Sequence, residues 1–378
     1  MNTRLFGFFF RSNFSSIIPM KNSALGYGLG AVAVVVALGV LRAKPWQHSD
    51  TPGTSTPSTT SSNSPAPASG EPQEVKVGFL PVTCHLTCPV TDYATRTSKS
   101  NHFASQRFTD FPTVVDALKS KRIEATFMIV PLAMKIREQG VPVKIVYLGH
   151  RDGSEVIVAK GSPAKDLRDL KGKTFAIPSK YSNQYLVIRA LMERQGVAES
   201  DIKFVEMAPP DMPTALAAKA IDAYFVGEPH AAKAEMNGTG RVLYYAKDIW
   251  PKFISCALVV HEDLIKDHPE QVRDLVRGIA QSGEWAQTHR VQAAKLVAPY
   301  YRQKEKLLEF VLTKPADRVS YRMLTPTDAD LQAIDDAAVK FGILKKGVDI
   351  QELVDRQFIP KDIKAADIEM PDASAGKS

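Results

Sequence analysis

From residue 74 onward the chain alternates short apolar runs with amphipathic stretches at a regular spacing. Residues 74–80 (EVKVGFL) alternate as a half-buried strand does, and 111–119 (FPTVVDALK) place apolar positions at helical intervals. The continuous apolar run 125–130 (ATFMIV) has strand length and is followed by Pro131, suited to the first turn of a helix. Further strands are predicted over 142–148, 155–159, 173–177, 201–207 and 223–226, with helices over 184–195 and 212–219. Strands separated by helices in this way predict parallel α/β sheets. Beyond Ser255 the pattern changes. One more strand, 257–261, precedes a long helical region carrying Leu264, Val272, Leu275, Val276, Ile279 and Trp285 near helical spacing, with Pro269 placed to start its second helix. Two α/β units followed by a return strand and a helical tail predict two lobes, crossed near 150–154 and 253–256, with a cleft between them. Ligands of open α/β sheets sit outside the carboxyl ends of the strands, and interlobe clefts are favoured sites.

The N-terminal pattern differs. Residues 24–41 hold eighteen positions without a charge, preceded by Arg4, Arg11 and Lys21 and followed by Arg42. That length is marginal for a hydrocarbon core of about 30 Å and slightly long for a cleaved signal. The next stretch, 48–73, is dominated by Ser, Thr, Pro, Ala and Gly, so an extended spacer is expected there. The expected organisation is a signal or anchor (1–46), a spacer (47–73), a first lobe (74–151), a second lobe (152–254), a return to the first lobe (255–359) and a flexible tail (360–378). Anchor and spacer together place the folded part in the periplasm or otherwise outside the cytoplasm, tethered to the membrane if the segment is retained.

Charge changes the picture by exclusion. The net charge is +7, but the five cations up to Lys44 account for most of it and leave +2 for everything after them. A nucleic-acid binder carries its excess on the folded domain, so no nucleic-acid partner is expected. Three cysteines in 378 residues are too few for a disulfide scaffold.

Candidate chemistry gathers at predicted strand ends. After the first strand come Thr83, Cys84, His85 and Cys88, offering hydroxyl, thiol and imidazole groups. Cys84 and Cys88 leave three readings open: a soft-metal or redox site with His85, a local disulfide, or two unpaired thiols. The segment Ser179, Lys180, Tyr181, Ser182 and Asn183 precedes a helix whose free N–H groups favour an electronegative acceptor, and Ser182 or Asn183 also reads as its N-cap. Gly227 and Glu228 close the strand 223–226, where Glu228 accepts from a ligand or caps the next helix. Pro131 and Asp211 are candidates by position alone, and His230 reads as a helix residue. Tyr181 is the best stacking aromatic. Without a cluster of Arg or Lys across these loops, a sulfonate lacks its expected partners, and a neutral or heteroaromatic ligand fits better. His85 and Glu228 are both expected to face a solvent-filled cleft.

Four stretches together resemble the nitrate/sulfonate/taurine/bicarbonate group of ABC-importer solute-binding proteins. They are VKVGFLPVT, LKGKTFAIPSKYSNQYLVIRALMERQGV, AYFVGEPHAAKA and the return segment beginning SCALVVHEDLIKDHPEQVRDLVRGIAQSGEWAQTHRV. The resemblance, over roughly residues 74–350, implies a two-lobed type II periplasmic binding fold with a hinged cleft whose first loop lines it. It also implies ligand capture without catalysis or cofactor, and ABC permease and ATPase partners. Its ligands range over small anions, sulfonates and heteroaromatic vitamin precursors. A related branch holds pyrimidine-precursor synthases, so a metal- or cofactor-dependent enzyme using Cys84, His85 and Cys88 is the alternative, and a ligand-sensing domain a third reading.

Overall fold

The computed structural model describes residues 73–96 and 101–370, so the expected anchor and spacer lie outside the described residues. Eleven described strands form two sheets. The first takes β1 (Gln73–Phe79), β2 (Asn101–Arg107), β3 (Ala125–Met128), β4 (Val143–Asp152), β10 (Ile254–His261) and β11 (Val319–Ser320) in the order β11-β4-β10-β3-β1-β2. The second takes β5 (Ser154–Ala159), β6 (Thr174–Ile177), β7 (Lys203–Glu206), β8 (Ala223–Gly227) and β9 (Gly240–Tyr245) in the order β7-β6-β8-β5-β9. The architecture is the mixed α/β, two-sheet arrangement expected of a periplasmic binding fold.

The sheets are not purely parallel, and the reason is the crossing of the chain. Strands β1, β2 and β3 pair in parallel, as do β6, β7 and β8, because a helix returns the chain between them. Strands β5 and β10 each enter a sheet just after a crossover, and each pairs antiparallel with both neighbours. Three strands escape the hydrophobic pattern: β2, β9 and the two-residue β11. β2 carries one buried apolar side chain, Phe103, at an edge, and β9 alternates weakly at the opposite edge of the second sheet.

The crossovers are short and tied to each other. Asp152 and Gly153 both take positive φ (61° and 65°) between β4 and β5. Gly153 is needed there twice over, since a Cβ would also meet the His150 ring and Val319 at 2.9 Å. The Asp152 N–H donates to Phe253 O on the returning crossover (2.9 Å). Asn183 Nδ2 donates to Ile254 O at 2.6 Å and Ser255 O at 3.2 Å, fixing the first turn of a second-lobe helix to the start of β10.

Behind the first sheet, helix Pro269–Thr288 turns Val272, Leu275, Val276, Ile279 and Trp285 into the core, following the sequence pattern. The described part of the C-terminal tail, 361–370, lacks helix and strand yet packs instead of hanging free. Ala366 N–H donates to Gln281 O (3.0 Å), the Tyr93 hydroxyl donates to Glu369 O (3.0 Å), and Ile363, Ile368 and Met370 lie against the core. The apolar residues spaced along this tail explain why it docks on the first lobe.

Candidate ligand-binding cleft

A cleft of about 490 Å³ opens between the lobes. Helices Phe111–Lys119 and Val130–Glu138 form one wall, contributing Phe111, Pro112, Val115, Leu132 and Ile136. The loops after β6 and β7 form the other, with Pro178, Ser179, Tyr181, Met207 and Pro209. Both loops stand at carboxyl ends of parallel strands, the position that open α/β sheets use for ligands. The walls are largely apolar, with Asp110, Asp116 and Glu206 bringing carboxylates. Lys135 is the one cation among the described lining residues, and it is already engaged. Its Nζ lies 2.5 Å from Glu138 Oε2 and 5.8 Å from the Tyr181 ring centroid, so it spans the cleft from one lobe toward an aromatic face on the other. The Lys135 ammonium in turn holds the Glu138 carboxyl below its usual range.

The segment expected to touch ligand divides here. Ser179 and Tyr181 line the cleft, whereas Lys180 is exposed beside it, its N–H donating to Glu206 Oε1 (2.5 Å). Ser182 is the N-cap: its Oγ accepts from Tyr185 N–H at 3.1 Å, and both Ser182 and Asn183 are buried. Asp211 is exposed at the end of the turn that Pro209 begins, and Pro131 is buried in the first turn of its helix, neither of them lining the cleft.

Thr83, Cys84, His85, Gly227 and Glu228 lie elsewhere, in a buried cluster where the lobes meet. The expectation that His85 and Glu228 face solvent is therefore corrected, since both side chains have 0 % exposure. The turn Thr83–His85 is held by two long tyrosines, Tyr301 donating to Val82 O (2.7 Å) and Tyr321 to Thr83 O (2.9 Å). Thr83 N–H donates to Glu228 O (2.7 Å), a direct backbone bond between the lobes. Thr83 Oγ1 also meets His150 Nε2 at 2.8 Å, and burial depresses that imidazole to about 4.

Glu228 is the centre of a buried charge network. Arg318, from the turn before β11, reaches Glu228 Oε1 at 2.5 Å and Glu235 Oε1 at 2.8 Å, while Ala232 N–H donates to Glu228 Oε2 at 2.9 Å. The caps-or-contacts alternative for Glu228 thus includes a cap on helix His230–Met236. Burial works against the Arg318 charge, but Glu228, Glu155 and Glu235 outweigh it and hold the guanidinium above its usual range. Burial first, and the adjacent Glu228 carboxylate second, raise Glu155 well above the carboxylate range. Neither Glu155 carboxyl oxygen meets a hydrogen-bond donor among the described residues, so no hydrogen bond offsets the cost of its charge there. Sequence reasoning missed Arg318 because ninety positions separate it from Glu228. It missed Asp110 and Phe111 as cleft residues because they open a helix whose apolar face reads in sequence as ordinary packing surface.

Of the three readings left open for Cys84 and Cys88, the structure carries unpaired thiols, both of them buried. Cys88 Sγ donates to Val77 O (3.6 Å), whereas Cys84 Sγ lies 2.8 Å from Cys256 Sγ, and His85 Nε2 lies 3.2 Å from the same Cys256 sulfur. The group of possible soft-metal donors is thus Cys84, His85 and Cys256. It fits a metal poorly. Leu80 N–H donates to His85 Nδ1 (2.7 Å), which leaves the ring proton on Nε2, the atom that faces the sulfurs. A ligating histidine needs the opposite tautomer.

Comparison with known proteins agrees with the resemblance read from the sequence. A putative binding protein of Brucella abortus is 25% identical over 267 residues, 69% of this chain and 79% of its own length. The taurine-binding periplasmic protein of Escherichia coli is 28% identical over 172 residues, 44% of this chain and 52% of its own. Among solved structures, the ligand-binding component of an ABC-type import system from Staphylococcus aureus, solved with zinc bound, superposes with a TM-score of 0.68. It is 26% identical and covers 76% of this chain and 98% of that one. Residues 68–299, more than half of the sequence, match the model of the NMT1-like family, and the chain belongs to that family.

Proposed function

We propose that this chain is the solute-binding subunit of an ABC importer, closing its two lobes on a neutral or heteroaromatic small molecule and presenting it to a membrane permease. The observation that carries the reading is the cleft itself, with apolar walls at strand carboxyl ends and the half-buried Tyr181 among its lining residues. A flat apolar ligand stacks on Tyr181, and its polar edge meets Ser179 and the carboxylates of Asp110 and Glu206. An anionic ligand is disfavoured, since Lys135 is committed to Glu138. Export supports the same reading: the charge-free stretch 24–41 acts as signal or anchor, and the Ser/Thr/Pro spacer gives the lobes reach from the membrane. The buried cluster of Thr83, Cys84, His85, Gly227 and Glu228 lies behind the cleft and sets how the lobes meet, while Ser182 and Asn183 orient the loop that carries Tyr181.

Native mass spectrometry of freshly purified protein is expected to retain a co-purifying solute of a few hundred daltons or less. Tyr181→Ala is expected to weaken binding of that solute roughly tenfold, as loss of one stacked ring contributes up to about 1.5 kcal/mol. Titration calorimetry reads the change, and wild-type affinity in Tyr181→Ala would place the site elsewhere. Small-angle scattering with the solute is expected to give a smaller radius of gyration than without it.

A further inference from the structure

Cys84 and Cys256 are 172 positions apart, yet the fold sets their sulfurs against each other. Cys84 sits in the turn after β1, and Cys256 occupies a bulged position of β10, where the register against β4 shifts on both sides. Both side chains are buried. The turn cannot drift away, because the two tyrosine hydroxyls hold it and Gly149 lets the Cys84 carbonyl approach β4 closely. Cys88, the partner that sequence spacing offers, bonds to a backbone carbonyl instead.

We propose that Cys84 and Cys256 form a disulfide that staples the first-lobe turn to the strand by which the chain returns from the second lobe. The oxidant is a protein or low-molecular-weight disulfide, met late in folding, when the turn and β10 have come together and solvent still reaches the sulfurs. The Cys84 thiolate attacks one oxidant sulfur and expels the other as a thiolate, giving a mixed disulfide. Cys256 loses its proton, attacks the Cys84 sulfur and expels the second oxidant thiolate. Two protein thiols thus give up two protons and two electrons, and one oxidant disulfide becomes two thiols. The His85 Nε2–H aimed at Cys256 stabilises that sulfur as it ionises. Burial alone would raise the Cys84 thiol, but Cys256, His85 and His150 outweigh it and hold it well below the usual range, which favours Cys84 as the first nucleophile. The same three donors do not suit a metal, for the tautomer reason given above. The staple also restricts the turn from which Thr83 reaches Glu228 in the second lobe.

The test uses the full chain, folded in the presence of oxidised glutathione, then denatured in an alkylating agent without reductant, digested and analysed by mass. One alkylated cysteine, Cys88, and one cross-linked peptide pair holding Cys84 and Cys256 are expected, with three alkylated cysteines after reduction. Cys88→Ser should keep the cross-link, and Cys84→Ser and Cys256→Ser should each abolish it. Three alkylated cysteines in the oxidised wild type, or a Cys84–Cys88 link, would overturn the proposal. Zinc retained against a chelator by the wild type, with the cross-link blocked, would overturn it in favour of a metal site.

Discussion

Glu228→Ala is expected to destabilise the protein by about 3–5 kcal/mol, the usual loss when one partner of a buried ion pair is removed. The variant leaves buried Arg318 with one ion pair, to the partly buried Glu235, and it removes the acceptor from Ala232 N–H. Urea denaturation should show a lower midpoint with an unchanged slope. Replacing both partners, Glu228→Leu with Arg318→Met, should cost less than Glu228→Ala alone, because no charge is stranded. If the double variant is the worse of the two, the pair is not the stabilising element described above. The neighbouring Glu155 adds a pH signature. Its folded pKa is raised from an unfolded value of about 4.3. The stability it contributes is therefore fully present below about pH 4.3 and is lost as pH rises through the folded value. Glu155→Gln should remove that loss, so the difference between variant and wild type should grow in the variant's favour from pH 4.3 upward. Parallel curves would mean that Glu155 is not held protonated.

Gly149→Ala should be the second severe change. A Cβ there would stand 2.1 Å from the Cys84 carbonyl oxygen, and that neighbour is backbone in a turn already fixed at both ends. The added methyl forces β4 and the turn apart, at about 1–3 kcal/mol or more by the measure of other overpacked cores. It also separates Cys84 from Cys256, so cross-linking should fall with stability. Gly161→Ala is the control: nothing lies within 4 Å of the Cβ it would carry. Thermal or urea unfolding decides between them, and a Gly149→Ala protein within about 0.5 kcal/mol of wild type would refute the contact.

Legibility followed the kind of signal each element emits. Helix Phe111–Lys119 matched its predicted bounds because amphipathic spacing and the Asp110 cap, accepting from Thr113 N–H, agree. The buried strand Ala125–Met128 was two residues shorter than its apolar run, because Pro131 pulls Val130 into the following helix. Edge strand β2 was invisible, since its neighbour on one side is solvent and its side chains need not be apolar. The cleft was half legible. Ser179 and Tyr181 follow a strand that hydrophobicity marks clearly, whereas the opposite wall depends on helix faces that read in sequence as ordinary amphipathic surface. The buried cluster was misread for a simple reason. Polar residues at a strand end signal exposure on average, and only the folded partners, Arg318, Tyr301, Tyr321 and Cys256, show that these have been satisfied internally.

The pairing of β4 with β10 has a temporal consequence. These strands are neighbours in the first sheet, but the whole second lobe lies between Asp152 and Ile254 in the chain. A ribosome therefore delivers β1 to β4 long before the strand that fills the centre of their sheet. Strands β3 and β4 have nothing between them until the entire inserted lobe has emerged. Such distant pairing raises contact order and slows folding. During that delay the facing edges of β3 and β4 remain unpaired and open to chaperones. Shortening the inserted lobe would be expected to close that window.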